Sequence, residues 1–327
     1  MRFLKTGLKI AVSVGLLSYL IHYIGIEAIY NEFTKIIYNG GLIYIFYAFL
    51  MVLLSLGLMT QRWHVLLKSY GLSPTWPQLF SYYLIGLFFN NFFPSAIGGD
   101  IVRIYKVIEG LNNRTVGFAS VIIERLMGVA ATLFMAFFAL LLIWQEFNDA
   151  RLLYASGTLL VIILLFFYIL IRNRPFQLML RVFEKITFFR IGEKFSKLFQ
   201  AIHFFRNRRH ILILVFMFSF LSQCAIVFLN FFIALALSVQ INLSYLFIVV
   251  PVTIVLTMLP SINGIGVREL GFVGLLAEAG VAYATAISIS FLNLIIPMII
   301  SVSGAVLFII QKRKPILEDN NGYKTIP

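Results

Sequence analysis

A single cysteine, Cys224, stands in the whole chain, so no intrachain disulfide can form and cysteine usage says nothing about redox compartment. Charge is also scarce. Asp, Glu, Lys and Arg together make 12% of the 327 residues, against about 25% in an ordinary soluble domain. Acidic residues are the rarer sign, 13 to 26 Lys and Arg, which leaves a formal net charge of +13. The four histidines, His22, His64, His203 and His210, are scattered. Neither HExxH nor CxxC spacing occurs, which argues against a dedicated zinc site. No Ser/His/Asp set or carboxylate cluster for metal is readable. The longest stretch without an apolar run, 172–209, is too short for a soluble catalytic domain. No metal, no cofactor and no enzymatic activity are therefore expected.

What the chain has in excess is hydrocarbon. Hydrophobic residues make up 61% of it, more than a 37.3 kDa core can bury in water, and a bilayer resolves the conflict by acting as the second solvent. Apolar runs at about 8–26, 41–61, 115–144, 152–171, 211–237 and 282–310 each reach the roughly 17–20 residues needed to cross a hydrocarbon layer. The first follows Arg2, Lys5 and Lys9 without an A-x-A-like cleavage site, so it reads as an uncleaved span. Two further apolar stretches, about 78–97 and 243–259, run into Pro/Gly clusters and continue as short helices.

The positive charge is distributed unevenly. With a cytosolic N-terminus, 22 of the 26 Lys and Arg fall in segments 1–9, 62–68, 103–114, 172–209 and 312–327, and only Lys35 and Arg151 face outside. Positive residues stay in the cytosol, so both termini are expected there, in the cytoplasmic membrane. Charge lying beside spans also argues against nucleic-acid binding, the other usual meaning of a basic balance. The bias survives only if the two Pro/Gly stretches enter and leave on the same side. The expected fold is all-α and polytopic: six full spans and two re-entrant helical hairpins, about 78–110 and 243–280, in one membrane domain over 1–314, followed by a polar tail, 315–327. Segment 172–209 contains Phe195, Leu198, Phe199 and Ile202 at the spacing of one helix face, with Lys194, Lys197 and Arg206 off that stripe. It reads either as a basic amphipathic helix on the anionic cytosolic surface or as a solvated linker.

The two hairpins resemble each other. Pro94 and Ser95 precede Gly98, Gly99, Asp100 and Arg103; Pro260 and Ser261 precede Asn263, Gly264, Gly266, Arg268 and Glu269. Broken helices of this kind, entering from opposite sides, are the signature of an inverted repeat in transporters, where helix starts face the substrate. An intramembrane charge costs about 2.5–3.5 kcal/mol on insertion scales, so Asp100, Arg103, Glu124, Arg125, Arg268 and Glu269 each need a reason. Asp100 and Arg103, three apart, share a helix face. Glu124 and Arg125, being adjacent, point about 100° apart and need partners on other elements. Two readings follow. In one, the charges pair and lock the bundle. In the other, they line a cavity for a lipid headgroup: arginine forks hold a phosphate, helix-start N–H groups add anion affinity, and the glycines permit close approach. Asn90, Asn91 and Asn263 would add neutral hydrogen bonds, and the acidic residues would hold an amino-modified headgroup or orient the arginines.

The stretch Phe92–Arg103, then Glu124-Arg125-Leu126-Met127-Gly128, then Leu259-Pro260-Ser261 through Gly264-Ile265-Gly266-Val267-Arg268-Glu269, resembles the lysylphosphatidylglycerol synthase transmembrane-region family, with Gln61-Arg62-Trp63 and Leu66-Leu67 also fitting. The resemblance covers about residues 5–312. That family includes the flippase half of the multiple peptide resistance factor, which moves aminoacylated phosphatidylglycerol to the outer leaflet. The resemblance therefore implies translocation or binding of an anionic or aminoacylated phospholipid. The aminoacyl-transferase domain of the bifunctional members has no counterpart in this sequence, so synthesis of a lysyl-lipid is not expected. Related membrane domains accompany glycosyl transfer and polyprenyl-lipid pathways, which leaves an accessory role toward a polyprenyl-phosphate lipid as the alternative, and a structural membrane scaffold as a third.

Overall fold

Helix is the one regular element that satisfies every backbone group without a partner segment, which is what a lipid environment demands. The computed structural model describes residues 26–91, 98–109, 114–142, 150–172, 177, 203–257 and 266–310, and among these residues there are ten α-helices and no strand. They are α1 (Ile26–Tyr38), α2 (Leu42–Ser69), α3 (Trp76–Asn90), α4 (Gly98–Ile108), α5 (Arg114–Leu142), α6 (Ala150–Ile171), α7 (Arg209–Ala236), α8 (Leu243–Leu256), α9 (Val267–Glu278) and α10 (Tyr283–Ile310). Leu42–Ser69, Thr115–Leu142, Arg209–Ala236 and Tyr283–Ile310 are long and apolar enough to cross a membrane. The run 152–171 is covered by α6. The run 8–26, most of segment 172–209 and the tail 315–327 lie outside the described residues.

One boundary differs from the expectation. The second run stops at Gln61 when Arg62 is taken as the start of a cytosolic loop, but α2 continues to Ser69. Arg62 is buried, as are Trp63, Leu66 and Leu67 around it. The apolar stripe Ala48, Val52, Ser55, Leu56, Trp63, Leu66, Leu67 keeps helical spacing straight through the charge. A buried partner, described below, makes that possible.

Helix α7 runs antiparallel along α2 in steady register. Gly41 lies against the carbonyl of Ala236, the rings of Tyr47 and Phe232 are 5.3 Å apart, Ser55 meets Ser222, and Arg208 donates to the carbonyl of Ser69. In lipid the hydrophobic effect does not drive helices together; close packing and polar contacts do. Gly41, Ser55 and Ser222 supply close and polar contacts along this seam beside the Tyr47–Phe232 ring pair, while Leu42, Phe46, Leu50 and Leu53 of α2 face outward.

Helices α3 and α4 form one short antiparallel hairpin, and α8 and α9 another. A Cβ on Gly99 would stand 2.1 Å from the Gly86 carbonyl oxygen, and the Asn90 side chain accepts from the Gly99 N–H at 2.6 Å. In the second hairpin Gly271 lies against Thr253 and Leu256, and the Tyr245 hydroxyl donates to the Leu275 carbonyl at 2.6 Å. Gly99→Ala is expected to force α3 and α4 apart, because the obstructing atoms are backbone. It should lower stability by about 2 kcal/mol or more, read as a drop in melting temperature in detergent.

The segments α2–α5 and α7–α10 follow the same order of elements, with lengths of 28, 15, 11 and 29 residues in one and 28, 14, 12 and 28 in the other. Leu42 to Arg209 and Trp76 to Leu243 are each 167 positions apart, the same separation as the Ser55–Ser222 pair, whose hydroxyls meet at 3.4 Å.

Candidate functional site

Three other helices converge on one carboxylate of α5. Glu124, 1% exposed, accepts from Arg62 of α2 through Nε at 3.1 Å and Nη2 at 2.6 Å, from Arg103 of α4 at 3.2 Å, and from the hydroxyl of Tyr83 on α3. Arg103 also donates to Asp100 at 2.5 Å, and Arg125 donates from its Nε to the other oxygen of Asp100. Arg62 reaches past Glu124 to the Ser219 hydroxyl of α7 at 3.0 Å. The Arg103 guanidinium stands 4.0 Å from the Tyr83 ring centre and 5.0 Å from that of Trp63, whose indole N–H is fixed by Ser120 at 3.1 Å.

Local sequence explains this convergence. Asp100 and Arg103 lie one turn apart on α4 and pair across that turn. Gly86 clears the path of the Arg103 stem, since a Cβ there would stand 2.8 Å from its Cγ. Glu124 and Arg125 diverge on α5 as adjacent residues must, one turning to Arg62 and Arg103, the other to Asp100. The partners of Glu124 do lie on other elements, and the nearest, at 2.6 Å, is Arg62 of α2, outside both hairpins.

Around this cluster is a cavity of about 100 Å³, lined by Leu56, Met59, Gly86, Leu87 and Asn90 together with the ionic residues and Tyr83. That is roughly the share of three waters, enough for one phosphate-sized group and too small for a lipid's chains. Its charged lining is three arginines, Arg62, Arg103 and Arg125, and two carboxylates, Asp100 and Glu124. Arg62 and Arg103 have side chains only 4% exposed, whereas that of Arg125 is 49% exposed, at the lip.

The second hairpin carries a separate cluster. Glu269, fully buried, accepts from Arg268 at 2.6 Å and from the Ser290 hydroxyl at 3.0 Å, and turns back to the Gly266 N–H at 2.6 Å. Here adjacent residues do pair, because they sit in the first turn, where the glutamate curls over the helix start. Gly266 has φ +87°, a conformation glycine adopts freely. The Gly99 N–H is taken by the Asn90 side chain and the Gly266 N–H by that of Glu269, so one donor at each helix start is already occupied by the protein itself. Asn91 does not reach the cavity lining; it ties α3 to Ser301 of α10 at 2.9 Å. Asn293 of α10 donates to Asn230 of α7. Pro94, Ser95, Pro260, Ser261, Asn263 and Gly264 lie outside the described residues.

Tyr83 and Ser219 are site residues that charge and motif reading overlooked, and Arg62 and Trp63 entered only through the resemblance motif, not as site residues. Arg62 had a usable signal: it interrupts an apolar stripe that resumes in phase at Trp63, Leu66 and Leu67. Tyr83 and Ser219 had none, since neutral polar residues in spans are common.

The architecture defines an α-helical multi-pass membrane protein with a buried arginine–carboxylate centre. The chain belongs to the family of the lysylphosphatidylglycerol synthase TM region, whose model matches residues 7–304. A UPF0104 membrane protein of Pyrococcus horikoshii is 26% identical, over 97% of this chain and 100% of its own length. A second UPF0104 membrane protein, from Methanothermobacter thermautotrophicus, is 24% identical over 91% of this chain and 93% of its own. No solved structure matches significantly.

Proposed function

We propose that this protein binds the phosphate-bearing headgroup of an anionic phospholipid in the cavity between α2, α3, α4 and α5 and carries it across the membrane. The observation that carries the reading is the lining itself: three arginines against two carboxylates around a small cavity. In a low-dielectric setting a surplus guanidinium favours an anion strongly. An amino-modified headgroup has a weaker case at this site, because Asp100 and Glu124 already accept from arginines. A polyprenyl-phosphate lipid offers the same phosphate.

The test is leaflet exposure of fluorescent phosphatidylglycerol in vesicles containing the purified chain, with a polyprenyl phosphate in a parallel arm. Transfer of phosphatidylglycerol supports the reading. Transfer of the polyprenyl lipid alone changes the substrate, and transfer of neither overturns translocation.

The same proposal takes α2–α5 and α7–α10 as an inverted repeat whose pseudo-two-fold axis passes between Ser55 and Ser222. It takes the two hairpins as re-entrant, with six full spans and both termini in the cytosol. In a Cys224→Ser background, Asp149→Cys should react with an impermeant thiol reagent in intact cells, and Asn207→Cys only after lysis. The reverse pattern inverts the topology.

A further inference from the structure

The face of α4 turned away from the ionic cluster forms the wall of a second, larger hollow. Asp100 and Arg103 point into the cavity, and Ile101 and Tyr105 lie on the other side, 58% and 59% exposed. They face Phe308 of α10 and Phe89 at the end of α3, around a groove of about 500 Å³. That volume falls in the range of about 300–1,000 Å³ typical of ligand sites, and it is several times the headgroup cavity.

The groove is polar at one end only. Lys106 and Glu109, in the last turn of α4 and just beyond it, complete its lining. The Lys106 ammonium reaches over the mouth to stand 5.3 Å from the Phe308 ring centre. That end of α4 has Val107 in one core cluster with Tyr70, Val116 and Phe205, which gathers where α2 ends and α5 and α7 begin. Gly117, one turn into α5, lies against Ile108. The charged end of the groove therefore points to the terminus of the bundle, and the apolar end, at Phe89 and Ile101, points inward along it. A membrane phospholipid has the same polarity: phosphate at the interface, chains toward the middle of the bilayer.

We infer that this groove seats the acyl chains of an anionic phospholipid whose phosphate lies against Lys106, at a site back to back with the headgroup cavity across α4. The inference rests on the lipid reading of the protein and adds a second lipid seat, one with room for the acyl chains that a cavity of about 100 Å³ cannot take.

Native mass spectrometry of the full chain in detergent, titrated with dioleoyl phosphatidylglycerol and with dioleoyl phosphatidylcholine, tests it. Lys106→Glu should weaken phosphatidylglycerol retention about thirtyfold, since each cation near an anionic headgroup contributes about 1 kcal/mol and the reversal counts twice. Phosphatidylcholine retention should change little. Ile101→Trp, an outward position that the fold tolerates, should fill the groove and weaken both lipids. If neither variant alters retention, the groove is not a lipid site. An effect of Lys106→Glu without one of Ile101→Trp reduces it to surface electrostatics and overturns the seat. An effect of Ile101→Trp alone removes the phosphate from Lys106 and overturns the assignment. Leaflet exposure measured beside retention separates the two proposals: a wild type that retains lipid through Lys106 without moving it keeps the groove and retires translocation.

Discussion

Glu124→Ala is expected to be among the most damaging single substitutions in the chain, with a loss of about 3–5 kcal/mol. Its carboxylate is the shared acceptor of Arg62, Arg103 and Tyr83, so α2, α3 and α4 are all fastened to α5 through it. Removing it leaves two buried guanidiniums facing each other across an empty acceptor. The cost comes from the stranded charges rather than from the lost attraction, so it is reversible by design. Arg62→Met combined with Glu124→Met should recover more than half of the lost stability, because Arg103 still has Asp100. Melting temperatures of the single and double variants in detergent decide it. A double variant no better than Glu124→Ala would show that the pair contributes more than mutual neutralisation.

Arg125→Gln should do the opposite: little change in melting temperature, and leaflet transfer reduced roughly ten- to a hundredfold, from the loss of a charge-assisted bond worth about 1.5–3 kcal/mol. The difference lies in exposure. The side chain of Arg125 stands 49% exposed at the lip, where a phosphate can reach it, whereas Arg62 and Arg103 are sealed beneath. Arg125→Lys should restore transfer only in part, because an ammonium lacks the planar fork. Arg103→Ala should mostly destabilise, since it strands parts of both Asp100 and Glu124. If the charges only lock the bundle, Arg125→Gln transfers lipid at the wild-type rate, and the headgroup reading falls.

Much of this was legible in the residues. Run lengths marked α2, α5, α6, α7 and α10, because hydrocarbon continuity over a span is a property of composition alone. The two Pro/Gly clusters marked the break between the short helices of each pair, because glycine and proline act locally. Asp100, Arg103, Glu124 and Arg125 stood out because charge in an apolar segment is costly wherever it sits. Arg62 was harder. An apolar window ends at its first charge, and a buried arginine 62 positions from its glutamate looks the same as a cytosolic one until the partner is found. Tyr83 and Ser219 depend wholly on which helices meet, as does the division of labour between sealed and exposed arginines. The occupied N–H groups of Gly99 and Gly266 were equally hidden, since the sequence marks a helix start but not what caps it.

The glycine contacts have a mechanical consequence. Gly99 sits on the Gly86 carbonyl, and Gly304 of α10 lies so close to α3 that an added Cβ would stand 2.1 Å from the Leu84 carbonyl oxygen. Backbone against backbone leaves no side chain to flex, so any displacement of α3 is expected to take α4 and α10 with it as one unit. The cavity beside Glu124 lies at the edge of that unit, where it meets α5 through the ion pairs of Arg103 with Glu124 and of Asp100 with Arg125. The groove between α4 and α10 lies wholly within it. Under the proposed lipid reading, a motion that widens the cavity would leave the groove at constant width, and its occupant would be carried along with the wall that moves.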